Sequence, residues 1–144
     1  MSKIPQIAII LFALTTQAQQ DFSKYKWRNR ILLFTTSSLE NEDFRKQWLS
    51  FLEKPKKLED RNLLLFVLCK SRIYDQDLKP VSHFDVAAIR KLYNLPATHE
   101  EVALIGKDGT SKFKKPYVFD VSLIFENIDK MPMRQREMRE NIDD

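Results

Sequence analysis

Two stretches decide how this chain reads: Val102-Ala-Leu-Ile-Gly-Lys-Asp-Gly-Thr110, and Ile128-Asp-Lys-Met-Pro-Met-Arg-Gln-Arg-Glu-Met138. In the first, Glu101 to Ile105 and Ser111 to Lys114 are short apolar or alternating segments on either side of Asp108-Gly109. That dipeptide predicts a hairpin with a type I′ turn, in which both central residues take positive φ. Between the two stretches, Asp120 is placed to cap a helix whose apolar face is Val121, Ile124, Phe125 and Ile128. Pro132 interrupts that helix, and Met133 to Asn141 reads as a further charged helical segment.

Upstream, the pattern changes from paired strands to alternating strands and helices. Arg30-Ile-Leu-Leu-Phe-Thr-Thr36 and Asn62-Leu-Leu-Leu-Phe-Val-Leu-Cys69 are continuous apolar runs of strand length, the signature of strands buried on both faces. Ser37-x-x-Glu40 has capping-box spacing for a helix carrying Phe44, Trp48, Phe51 and Leu52, which Pro55 would stop. Lys70 to Val81 reads as an exposed loop. Ser82-x-x-Asp85 then predicts a helix with Phe84, Ala88, Ile89 and Leu92 along one face, ended by Leu95-Pro96. Strand, helix, strand, helix, hairpin, helix requires a parallel pair joined by a crossover, extended by antiparallel strands. The expected architecture is a three-layer α/β/α domain around a four-stranded mixed sheet, the minimal thioredoxin-like arrangement.

The start of the chain reads differently. Met1-Ser-Lys3 is a short basic opening, Ile7 to Leu14 an apolar run, and Thr16-Gln-Ala18 a small-x-small site. This is the layout of a secretory signal peptide over residues 1–18, with cleavage after Ala18. The run is too short to cross a bilayer core, which needs roughly 20 residues. Residues 19–29 form a polar and aromatic lead-in, and the domain proper is expected over 30–144. An exported location, periplasm or medium, follows.

Composition narrows the chemistry. Of 144 residues only two are glycine and one is cysteine. Gly106 and Gly109 share one turn, so neither a GxGxxG fingerprint nor a P-loop exists. Cys69 alone cannot make a CxxC redox pair, an internal disulfide or a cysteine-based zinc cluster. His83 and His99, the only histidines, are poor material for a metal site, and no cofactor is implied. The net charge of +4 comes from Lys/Arg clusters interleaved with acids. They make a solvated surface or a patch for an anionic polymer. No nucleic-acid recognition motif accompanies them.

Trp27-Arg-Asn-Arg-Ile-Leu-Leu33, Leu104-Ile-Gly-Lys-Asp-Gly109 and Ile128-Asp-Lys-Met-Pro-Met-Arg134 with Arg136-Glu-Met138 resemble a domain of unknown function called P-DUDES. That domain stands alone in exported bacterial proteins and is a module of animal sushi-repeat-containing secreted proteins and a related matrix protein. The resemblance spans Phe22 to Met138. It implies a thioredoxin-like fold distantly similar to peroxiredoxins, and it suggests adhesion or partner binding. It transfers no catalytic residues.

A thioredoxin-like enzyme holds its nucleophilic cysteine where the first strand turns into the first helix, whose N-terminus favours a thiolate. Here that turn is Thr35-Thr-Ser-Ser-Leu39. No proline precedes the third strand, where Glu100-Glu101 stands instead. Both departures argue against an oxidoreductase. Ser37 and Ser38 are either plain caps or hydroxyls of an anion site. Arg134 and Arg136 are either a fork for a ligand carboxylate or internal pins for the C-terminal segment. Cys69 is either a buried structural thiol or, in the alternative reading, the reactive centre of a one-cysteine thiol protein. The leading expectation is a non-enzymatic binding module whose partner is a protein or an anionic polysaccharide.

Overall fold

The computed structural model describes residues 21–142; the expected signal peptide lies outside the described residues. Strand β1, Arg30–Thr36, is buried along its whole length. It lies at the centre of a five-stranded sheet of order β3-β2-β1-β4-β5, with β2 at Leu63–Cys69, β3 at Arg72–Tyr74, β4 at Glu101–Ile105 and β5 at Ser111–Pro116. β1 runs parallel to β2 and antiparallel to β4. The fifth strand corrects the expected count of four. β3 falls inside the segment expected to be a loop and pairs with β2 only from Val67 to Cys69. Three residues, of which only Ile73 is buried, are too few to show an alternating pattern.

Alternate side chains of the strands build two cores, one on each face. Leu32, Phe34, Leu65, Val67, Val102 and Leu104 meet helices α1 (Glu42–Leu52), α2 (Pro55–Asp60) and α4 (Ser122–Asp129). Ile31, Leu33, Phe66, Leu68, Ala103 and Ile105 meet α3 (Val86–Tyr93) and Phe22. Phe22 is buried, with its ring 5.2 Å from that of Phe66, so the chain joins the core before β1 begins. The result is the three-layer α/β/α arrangement expected.

Helix boundaries depart from expectation where capping decides them. Asn41, not Ser37, caps α1, accepting a hydrogen bond from the Phe44 amide at 2.9 Å. Pro55 does not merely stop α1; it opens α2 at the first helical position, where its missing N–H removes nothing. Asp85 rather than Ser82 caps α3 by accepting from the Ala88 amide, which leaves His83 outside the helix. The buried stripe of α3 is therefore Val86, Ile89 and Tyr93, while Leu92 is exposed. Residue Val121, not Asp120, is the N-cap of α4, although the Asp120 carboxylate accepts from the Ser122 amide. Pro132 is the first residue of a separate helix, α5 (Pro132–Glu140).

The β4–β5 hairpin also differs from a type I′ turn. The Gly109 amide donates to the Gly106 carbonyl, the Gly106 amide donates to Thr110, and only Gly109 has positive φ, at 81°. This is a type I turn closed by a left-handed glycine, which lengthens the loop by one residue. The Asp108 carboxylate accepts from the Thr110 amide at 3.0 Å, and that local bond favours the alternative turn.

Candidate functional site

The parallel pair β1–β2 ends at Thr36 and Cys69, which are register partners. The chain leaving β1 passes over this edge before α1 begins, so Thr35 to Ser38, Cys69 and the residue preceding β4 converge there. Ser37 is held by a distant carboxylate: its amide and its Oγ both donate to Glu100 Oε1, at 2.6 Å each. Glu100 stands where the chain enters β4, beside Glu101, the register partner of Thr35. The other carboxylate oxygen, Oε2, is buried and has no hydrogen-bond partner.

Around this pair Tyr117 and Arg90 bond chiefly to backbone carbonyls. Tyr117 Oη donates to the Thr35 carbonyl at 2.7 Å. Burial first, and then the Glu100 charge, pushes the Tyr117 phenol above its usual range, so it keeps the proton that it donates. Arg90 donates to Thr35 Oγ1, the Leu95 carbonyl and the Lys70 carbonyl. Burial lowers the pKa of its guanidinium. Cys69 itself is free and 8% exposed. It lines a shallow groove of about 330 Å³ together with Ser38, Leu39, Arg72 and Tyr74.

The Ser38 hydroxyl accepts from the Glu40 amide and Thr36 Oγ1 donates to the Ser38 carbonyl, so this turn is stabilised locally before the helix starts. The amide that a helix-terminal anion site would offer at Ser37 already carries a carboxylate of the protein. Serine has no redox chemistry, and no histidine touches it; His99 pairs with Glu101 and His83 stacks on Phe84. Among the described residues no group of three or more His, Cys, Asp or Glu side chains gathers as metal ligands.

Arg134 and Arg136 stand at the opposite end of β1, where Arg30 begins the strand. Arg134 is 2% exposed and donates to Asp129, to the Asp60 carbonyl and to the Asp60 carboxylate, the last at 2.7 Å. Burial alone would lower its pKa, but those acids raise it. Its donors serve the fold. Arg136 is exposed. The structure therefore does not bring the serine pair and the arginine pair together.

One feature near Arg30 was not legible as a site. Lys24, Lys26, Trp27 and Arg28 are consecutive or nearly so and all exposed. Trp27 is 66% exposed at φ 66°, the left-handed region that a bulky residue enters at a cost of about 1–2 kcal/mol. Its amide donates to the Lys107 carbonyl at 2.7 Å, which seats this turn on the β4–β5 hairpin loop. The sequence signal was present, an aromatic between cations, but nothing in it indicated exposure.

A family described as Domain of unknown function (DUF4174) matches residues 21–137. The chain belongs to that family. A search of curated protein sequences returned no match. Among solved structures, the reduced 2-Cys peroxiredoxin of Plasmodium vivax superposes with a TM-score of 0.58 at 13% identity, over 78% of this chain and 83% of that one. At that identity the likeness establishes the fold: the domain is thioredoxin-like. No helix among the described residues is long and apolar enough to cross a membrane.

Proposed function

We propose that this DUF4174 domain is an exported, non-enzymatic binding module that takes an anionic polysaccharide, or an acidic protein surface, on the turn from Lys24 to Arg28. The observation that carries the reading is Trp27, held exposed in an unfavourable backbone region between Lys26 and Arg28. Strained, exposed aromatics persist where surrounding structure fixes them, and they cluster at ligand-contacting sites. The ring supplies an apolar platform for a sugar face, and the cations supply attraction to sulfate or carboxylate groups. The signal-peptide layout of residues 1–18 supports export. The serine at the usual nucleophile position, closed off by Glu100, supports a non-enzymatic role.

Purified residues 19–144 should be retained on immobilised heparin and released by salt. Trp27→Ala and the double variant Lys26→Glu/Arg28→Glu should each weaken binding by about tenfold, or ~1.4 kcal/mol. Retention that is absent, or unchanged in both variants, would sink the reading.

A second reading rests on Cys69, because the thiol lines an open groove and the half-buried Arg90 guanidinium bonds to the carbonyl of the next residue, Lys70. It makes the protein a one-cysteine thiol oxidoreductase or peroxidase. The leading reading expects no thiol-dependent peroxide consumption or insulin reduction by the wild type. Activity that disappears in Cys69→Ser would replace the leading reading with this one.

A further inference from the structure

At the Arg30 end of the sheet, three separated segments line a cavity of about 370 Å³: Arg30 from β1, Gly106 to Asp108 with Lys112 from the hairpin, and Met131 to Met133 from the α4–α5 joint. Pockets for small ligands run from about 300 to 1,000 Å³. We propose that this cavity binds a small amphipathic monocarboxylate, its apolar body against Met131, Pro132 and Met133 and its carboxylate toward Arg30 and Lys112.

Charge and hydrogen-bonding capacity choose the ligand. Arg30 is 1% exposed, and its Nη atoms donate to Glu137 and to the Arg61 carbonyl, yet its Nε has no acceptor. A buried donor left unpaired costs about 1–3 kcal/mol, and the residue that carries it lines this cavity. Helix α5 opens at the same wall. Its N-cap, Met131, makes no side-chain cap bond, and Pro132 has no N–H. The first amide to reach back is Gln135, donating to the Met131 carbonyl. The amides of Met133 and Arg134 precede that bond and have no acceptor within the helix, so the positive end of the helix faces this joint.

The surrounding ions leave room for a single negative charge. Arg30, Lys107 and Lys112 stand against Asp108 and Glu137, through contacts of 3.2, 2.6 and 2.7 Å, while Arg134, 3.8 Å from Glu137, shares Asp60 and Asp129 with Arg61, so beyond that balanced set three cations face two carboxylates. One positive charge is uncompensated. Gly106 lets the Lys112 side chain lie across the loop, since a Cβ there would stand 2.7 Å from Lys112 Cε. The thioethers of Met131 and Met133, both half-buried, adapt to an apolar body of irregular shape. The proposal does not rest on the polysaccharide reading, which uses the neighbouring Trp27 turn.

The test is amide-resolved NMR of 15N-labelled residues 19–144 titrated separately with hexanoate, hexanol and hexylammonium. Hexanoate should saturate below about 10 mM, the range of a small fragment, shifting the amides of Gly106, Lys107, Met133 and Arg134. Hexanol should bind at least about tenfold more weakly and hexylammonium not at all. Met133→Trp fills the cavity and should abolish the shifts. Lys112→Gln, at the exposed rim, should weaken hexanoate severalfold with the rest of the spectrum unchanged, which keeps the test valid if the tryptophan variant misfolds. Trp27→Ala should leave hexanoate binding intact, separating this site from the polymer surface. Shifts that are absent, equal for all probes, or centred on Ser37 and Glu100 would overturn the proposal.

Discussion

Replacing Glu137 with alanine should destabilise the domain by about 3 kcal/mol, the lower end of the range for removing one partner of a buried ion pair. Arg30 opens the central strand and is 1% exposed, so its guanidinium needs an acceptor inside the fold. Glu137 answers it bidentately, accepting from both Nη atoms at 3.2 Å, while also accepting from Lys107 Nζ at 2.6 Å. The lower end applies because the Glu137 side chain is 21% exposed and water can partly replace it. Helix α5 buries only Arg134, so little apolar packing would remain to hold it. Urea unfolding at pH 7 followed by circular dichroism measures the loss, and a change under about 1 kcal/mol would mean that α5 is docked by something else. An Arg30→Met/Glu137→Leu double variant should lose less than Glu137→Ala alone, because the Arg30 guanidinium is no longer left buried without its carboxylate, while Lys107 keeps its bond to Asn62 Oδ1.

The same carboxylate sets a pH dependence. Burial acts to raise the pKa values of Glu137 and Asp129, but bonds from Arg30 and Lys107 to the first, and from Arg61 and Arg134 to the second, hold both below their ordinary values. A carboxyl depressed in the folded state binds fewer protons there than in the unfolded chain, so its stabilisation is complete above the unfolded pKa. It is lost as pH falls from about 4.3 toward the lower folded values. Thermal midpoints should be flat near neutrality and fall in that acid window. In Glu137→Gln the fall should be shallower, from a lower starting midpoint.

The elements most legible in the sequence were those whose burial is continuous. β1 and β2 are buried almost residue by residue, and an apolar run of that length records this directly. What escaped was set by contacts far apart in sequence or by competition among nearby caps. Ser37, Asn41 and Glu40 all lie where α1 could start; Asn41 prevails because starting there places Phe44, Trp48 and Phe51 on the sheet. Glu100 closes on Ser37 across 63 residues of chain, through a β1–β4 register that no local pattern specifies. Arg134 was legible as a fork but not as to its target: Asp60 lies 74 residues away, at the end of α2, a helix that begins where the sequence reading stopped the first one, at Pro55.

Gln47→Leu should cost about 2 kcal/mol, because it orphans two backbone groups of half-buried Phe119, each worth about 1–3 kcal/mol when fully buried and unpaired, so the low end applies. Gln47 is fully buried within α1, an uncommon place for an amide. Its Oε1 accepts from the Phe119 amide at 2.8 Å and its Nε2 donates to the Phe119 carbonyl at 3.1 Å. One side chain thus pairs with an irregular segment as a neighbouring strand would. Phe119 follows Tyr117, whose hydroxyl reaches the Thr35 carbonyl, so Gln47 helps to lock the covering of the Ser37–Glu100 edge. In the leucine variant the Phe119 amide should lose hydrogen-exchange protection before the amides of β1 do. Gln47→Glu should be worse at pH 7, since an ionised carboxylate cannot donate to the Phe119 carbonyl and is buried without a cation. Burial raises its folded pKa above the unfolded value, so the folded state binds the extra proton and this defect shrinks as pH falls. Wild type and Gln47→Glu should therefore draw closer in stability on acidification, whereas wild type and Glu137→Gln draw closer because the wild type falls. Equal protection of Phe119 in all three chains would mean that the segment is held without Gln47.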